Sequence, residues 1–129
     1  MEVLPGRWAV CRLAPDAAVP EWAGGEAFIS VSRTQEELSI VCPQSSVPVN
    51  VRAGRGWCVL KLAGPFEFSV VGVLHSVTSP LAAAGVSLFA VSTFDTDYVL
   101  VHEASLSAAV AALRDAGHTV LLARDGAAD

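Results

Sequence analysis

Asp95, Asp97 and His102 stand close together in this 129-residue chain. Carboxylates beside an imidazole are the side chains that hold a metal ion or move a proton. The same spacing suits a turn, because Asp bonds its own backbone and starts turns readily; His102 then ends a strand at the surface. The turn is the expectation here. His75 and His118 have no partner at ligand spacing and read as structural. Cys11, Cys42 and Cys58 are scattered, odd in number and without a CxxC pair, which suits buried thiols in a reducing compartment. The loop Ala63-Gly64-Pro65-Phe66-Glu67 holds no basic residue for a phosphate. No catalytic residue, metal site or cofactor is assigned, and the chain is not expected to be an enzyme.

The elements that must position these residues follow a β-α-β-β-α-β order. Trp57–Leu62 is β-branched and aromatic, as a strand is. Gly64-Pro65 ends it, and a helix is expected from Phe68 to Ala84, with Gly85 past its end. Pro80 removes a backbone bond inside that helix, so a kink or restart is expected. Strand Val86–Thr93, a turn at Phe94-Asp95-Thr96 and strand Tyr98–His102 come next. Ser105 caps a helix with Leu106, Val110 and Leu113 on one face and Gly117 beyond it, and Thr119–Leu122 closes the unit as a strand. This is the ferredoxin-like α+β plan.

A decayed copy of the same unit comes before it. Arg7–Leu13 resembles Gly56–Leu62 at an offset of 49, through Trp8/Trp57, Val10/Val59, Arg12/Lys61 and Leu13/Leu62. Phe28–Val41 aligns with Leu88–Val101 at an offset of 60, through Val31/Val91, Ser32/Ser92, Glu37/Asp97 and Val41/Val101. The larger second offset predicts a shortened helix between the first two strands of this copy. Its strands are expected near Arg7–Leu13, Phe28–Arg33 and Leu38–Cys42, with the turn at Thr34-Gln35-Glu36-Glu37. Pro43 to Gly56, with its prolines, serines and glycines, reads as a linker where a second helix belongs. The expected division is a degenerate unit at 1–55, a complete unit at 56–124 and a frayed tail at 125–129.

Composition narrows the function classes. Hydrophobic residues make up 53% and charged residues 16%, which excludes a disordered chain. A net charge of −5 and a single aromatic, Phe89, on its strand exclude a nucleic-acid partner. Phe68 to Phe94 carries no Asp, Glu, Lys or Arg and is long enough to span a bilayer. However, His75, Ser76, Thr78, Ser79 and Pro80 lie near its middle and Gly85 divides it, so it reads as a helix followed by a strand. No membrane partner is expected. The start of the chain lacks the pattern of a secretion signal, and a cytoplasmic location is expected.

The run Ser92-Thr93-Phe94-Asp95-Thr96-Asp97-Tyr98, within Pro80 to Val101, resembles the ACT domain family. The likeness is to its tandem-ACT branch, found in small bacterial proteins and in the animal cytosolic arginine sensors. Thr34 to Cys42 resembles the first unit of that branch, and Gly64-Pro65 through Gly72-Val73-Leu74 its strand-to-helix loop; the likeness covers about residues 7–122. The resemblance implies a regulatory module that binds a free amino acid between ACT units. It places Thr93, Phe94 and Asp97 on the ligand-contacting segment. It places Val70, Val71, Gly72 and Val73 on the segment at the helix start whose backbone approaches the ligand. Read as residues, Gly72 either admits a close neighbour or merely packs the helix, and Phe94 is equally a core aromatic beneath the turn. The arginine sensors hold four ACT units and this chain two, so a comparable pocket needs a second chain or is missing. A homodimer is expected. The alternative is a structural interaction or oligomerisation module with no small-molecule ligand.

Overall fold

The computed structural model describes residues 1–25, 27–62 and 72–122. Along the chain run β1 (Glu2–Val3), β2 (Trp8–Leu13), β3 (Ser30–Arg33), β4 (Leu38–Pro43), β5 (Ala53–Lys61), α1 (Val73–Ala83), β6 (Leu88–Ser92), β7 (Asp97–His102) and α2 (Leu106–Asp115). Short 3-10 turns lie at Gln44–Ser46 and Glu103–Ser105. Two units result, Gly6–Trp57 and Met1–Pro5 with Cys58–Asp129. The expected loop Ala63–Glu67, the first residues of the helix expected from Phe68, and the tail at 125–129 lie outside the described residues.

The unit Gly6–Trp57 has the strand order β3-β4-β2-β5. Antiparallel pairing sets Ala9 opposite Cys42 and Cys11 opposite Ile40. The two-residue period of the strands then sends Ala9, Cys11, Leu38, Ile40 and Cys42 into one apolar cluster, joined by Val47. Among the described residues no helix lies between β2 and β3. Two turns stand there instead, closed by Ala17 N–H to Ala14 O at 3.0 Å and Ala23 N–H to Pro20 O at 3.1 Å. Pro15 and Pro20 lack the N–H groups that the expected shortened helix needs. A second departure is that β5 starts at Ala53, inside the expected linker Pro43–Gly56. The pairing slips from Trp8 opposite Trp57 to Val10 opposite Gly54, a β-bulge. Gly56 takes up the bulge with φ 83°, and its N–H donates to Gln44 Oε1 at 2.8 Å. A side chain from the expected linker thus satisfies the donor that the bulge displaces.

In the other unit β5 lies between β1 and β7, and β6 is outermost. The order β5-α1-β6-β7-α2 is the ferredoxin-like α+β plan. Its expected last strand, Thr119–Leu122, is reduced to one parallel bridge, Glu2 with Leu121. The reason is β1. Glu2 and Val3 pair with Lys61 and Leu60 and take the edge of β5 that a last strand uses in this plan. Leu121 bonds to the outer side of β1, through Val3 N–H to Leu121 O at 2.8 Å and Leu121 N–H to Met1 O at 3.0 Å. The first five residues, expected with the first unit, therefore group with this one.

Helices α1 and α2 bury Val77, Leu81, Leu106, Ala109, Val110 and Leu113 against Cys58, Leu60, Val99 and Val101. Each fully buried Leu or Val contributes roughly 1.5–3 kcal/mol. Gly85, at φ 74°, ends α1 as expected, with Val86 N–H reaching Leu81 O at 3.0 Å. α1 runs through Pro80 without a restart. Pro80 has no N–H for Ser76 O four residues earlier, and the His118 ring supplies one: its Nε2 lies 2.8 Å from that oxygen. Because a carbonyl only accepts, Nε2 carries the proton. Among the described residues no helix is long and apolar enough to cross a membrane.

Candidate functional site

β6 and β7 pair from Leu88 opposite Val101 to Ser92 opposite Asp97, which leaves Thr93–Thr96 as a four-residue turn. Thr93, expected at the end of a strand, opens this turn: its N–H donates to Thr96 O at 2.8 Å. Thr93 Oγ1 also accepts from Thr96 N–H at 3.3 Å, the kind of local bond that makes Thr favourable in turns. Phe94 is 79% exposed at the tip, so it is not a core aromatic beneath the turn. Asp97 is half-buried at the first position of β7, where its Oδ1 accepts the hydroxyl proton of Ser92. Its backbone oxygen accepts from Leu62 N–H at 3.1 Å. The hairpin base therefore sits at the end of β5.

Thr93, Phe94 and Asp97 are brought together in one hairpin. Gly72 is exposed as the N-cap of α1 with φ 85°. Among the described residues no heavy atom beyond its chain neighbours lies within 4 Å of where its Cβ would be, so no close approach among them explains the glycine. The left-handed backbone does. Val73, half-buried, opens α1 and packs against the apolar cluster. Val70 and Val71 lie outside the described residues. Two residues not singled out from sequence join the hairpin, Ser92 and Thr96. Ser92 had a readable signal, since a four-residue turn makes it the cross-strand partner of Asp97.

The other residues with chemical potential are spent on structure. Asp95 is exposed in the turn, and His102 Nδ1 accepts from Ala104 N–H at 3.3 Å, capping the 3-10 turn. His75 is exposed on α1. Among the described residues no three His, Cys, Asp or Glu side chains converge. All three cysteines are buried thiols outside any disulfide. Burial raises the Cys11 thiol and pushes that of Cys42 up to about 11, with the neighbouring Cys11 adding to the second shift. Such thiols are poor nucleophiles at neutral pH.

The ACT domain family model matches residues 52–115, and a model for an N-terminal domain matches residues 6–50. Residues 52–115 are an ACT domain. Subunit 1 of the cytosolic arginine sensor for mTORC1 is similar to it. The Bos taurus protein is 29% identical over 96 residues, covering 68% of this chain and 29% of that protein. The Homo sapiens protein is 28% identical over 93 residues, covering 69% and 27%. The chain thus spans less than a third of the length of these relatives. A crystal structure of an Agrobacterium tumefaciens protein is 42% identical, with a TM-score of 0.90 over 95% of this chain and 92% of that one. Clostridium acetobutylicum aspartate kinase, an allosteric enzyme, shares the fold at 10% identity, with a TM-score of 0.63 over 88% of this chain and 33% of the kinase.

Proposed function

We propose that this chain is a regulatory module that binds a free amino acid at a contact between ACT units, acts without catalysis, and resides in the cytoplasm. The observation that carries the reading is the Ser92–Asp97 hairpin, which holds a half-buried carboxylate beside an exposed aromatic in an ACT domain similar in sequence to arginine sensors. The Ser92 hydroxyl uses one lone pair of Asp97 and leaves acceptor capacity on both oxygens. An α-ammonium or a cationic side chain fits that capacity, through charge-assisted bonds about twice as strong as neutral ones. Thr93, Phe94 and Asp97 are the proposed contacts, and Gly72 and Val73 the proposed backbone approach at the helix start. The second unit of the contact comes from a second copy. β6, Leu88–Ser92, is outermost in its unit and carries no charged residue, and an unguarded edge of that kind invites pairing. A homodimer of this type buries at least about 1,000 Å².

A thermal-shift screen of the twenty amino acids tests the reading, because a ligand specific for the folded state raises its stability by mass action. Calorimetry then compares the parent with Asp97→Asn, which keeps the shape and removes the charge. The expected loss is about 1.5–3 kcal/mol of binding at a nearly unchanged melting temperature. Sedimentation at tens of micromolar protein should show a dimer. A dimer that binds none of the twenty is the oligomerisation module instead, and unchanged affinity in Asp97→Asn removes this residue from the site.

A further inference from the structure

Thr96 is the only buried residue among those described whose side chain carries a hydroxyl, amide or charged group, at 8% exposure. A buried hydroxyl is costly unless it is bonded, so its partner identifies its role. Thr96 Oγ1 donates to Leu62 O at 3.1 Å, and Leu62 N–H donates to Asp97 O at 3.1 Å. Two successive hairpin residues therefore take both backbone polar groups of the residue that follows β5. The backbone N–H and C=O of Thr96 are turned inward to Thr93, so its hydroxyl is the group left to reach β5.

We propose that Thr96 is a positioning residue: its hydroxyl fixes the Thr93–Asp97 turn against the end of β5, and so aims Phe94 and the Asp97 carboxylate at the ligand. This rests on the amino-acid reading of the hairpin. The physical ground is that charge-assisted bonds need their partners held within about 0.5 Å of the productive geometry. Asp97 alone cannot secure this. Among the described residues its carboxylate bonds only Ser92 in the same hairpin, and its backbone tie to Leu62 holds the base of the hairpin but not the turn beyond it. The Thr96–Leu62 bond ties the turn to a third strand.

Thr96→Val keeps the shape and removes the hydroxyl, Thr96→Ala is a second hydroxyl-free variant should Val pack poorly, and Thr96→Ser keeps the hydroxyl. Amide exchange followed by NMR should show the Leu62 and Thr96 amides exchanging about tenfold faster in the hydroxyl-free variants, with Ile40 and Cys42 in β4 unchanged. Affinity for whichever amino acid most raises the parent's melting temperature should fall about tenfold in those variants and recover in Thr96→Ser. Val86→Ala, a core truncation at the far end of α1, should lower the melting temperature and keep the affinity. Unchanged Leu62 exchange, or unchanged affinity, in a folded hydroxyl-free variant overturns the role of Thr96 and leaves the amino-acid reading standing. A parent that binds no amino acid overturns that reading, and with it any control of affinity by Thr96, whatever the exchange rates show.

Discussion

Thr34 and Thr93 occupy the same place in two hairpins, one in each unit. β3 and β4 pair as far as Arg33 opposite Leu38, and β6 and β7 as far as Ser92 opposite Asp97. Each hairpin turns through four residues, and each Thr N–H reaches the carbonyl of the fourth, at 2.9 Å from Thr34 and 2.8 Å from Thr93. The hairpins thus correspond at an offset of 59, and Asp97 stands where the first has Leu38. Leu38 is fully buried in the apolar cluster, whereas Asp97 is half-buried and bonded to Ser92. Thr96 stands where the first hairpin has Glu37. Thr96 is buried and bonds Leu62, whereas Glu37 pairs with Arg12 at 3.3 Å near the surface. One backbone turn serves two purposes. In the first unit the base of the hairpin completes the core, and in the second it presents a carboxylate.

Exchanging the residues at the two bases should break this symmetry of backbone most severely. Leu38→Asp carries a carboxylate into a cluster of Ala9, Cys11, Ile40 and Cys42 and should cost at least about 4 kcal/mol. Asp97→Leu removes one hydrogen-bonded pair near the surface and should cost about 1 kcal/mol. Urea unfolding measures both, and equal losses would contradict the difference in burial that separates the hairpins.

The next effect is alkaline. Cys11 and Cys42 of the first unit correspond to Leu60 and Val101 of the second, so this pair of neighbouring thiols is particular to the first unit. Burial pushes Cys42 up to about 11 from an ordinary 9.0. The raised value means that the unfolded chain releases its proton first. The contribution of this thiol is therefore whole below pH 9, declines above it, and is lost as pH rises through 11, on the order of 2 kcal/mol in all. Cys42→Val should flatten this part of the pH–stability curve, and a decline of unchanged steepness in that variant would locate the titrating group elsewhere.

Local signals carried most of the fold, and long-range ones did not. Gly85 and Gly117 marked the ends of both helices, because a glycine stop acts within a few residues. The alignment offset of 60 was one residue too long: short apolar matches tolerate a slip of register that hydrogen bonds across a turn do not. The early start of β5 was hidden because Gly54 and Gly56 look like linker until Gln44 accepts the bulge N–H from twelve residues away. The place of β1 was hidden for the same reason, since nothing in Glu2-Val3 names Leu60 as a partner. At the candidate site turn chemistry marked Asp97 only as a turn residue, and the family resemblance alone named it as a ligand contact. Thr96 was not legible, because its role depends on Leu62, far off in sequence.

The second unit keeps a helix despite Pro80, whereas the first has turns at Pro15 and Pro20, and a double-mutant cycle sharpens that contrast. His118→Ala removes the donor to Ser76 O and should cost about 1 kcal/mol. In a Pro80→Ala background the helix regains its own N–H for that oxygen, so the same change should cost nearly nothing. Equal costs in both backgrounds would mean that the ring serves some purpose other than replacing the proline's missing donor.

The smallest expected effect tests the tie of the first hairpin to its neighbouring strand. Arg12 reaches Glu37 at 3.3 Å and the Glu36 carbonyl at 3.1 Å, with the paired side chains 43% and 41% exposed. At that exposure water screens the pair and two long side chains lose rotamer freedom, so it contributes about 0.2–1 kcal/mol. Arg12→Met keeps the packing of the stem and removes the charge, which separates the ion pair from the cover its methylenes give. Its cost should fall within that range in dilute buffer and shrink toward zero near 1 M salt, where the Debye length is about 3 Å. The buried Thr96 bond carries no net charge, and the loss in Thr96→Val should hold steady over the same salt range. A larger loss in Arg12→Met that persists in high salt would show the first hairpin held as firmly as the second. Its Thr34–Glu37 turn would then be as well placed as Thr93–Thr96 to present side chains, and only the exchange of Leu38 for Asp97 would still distinguish them.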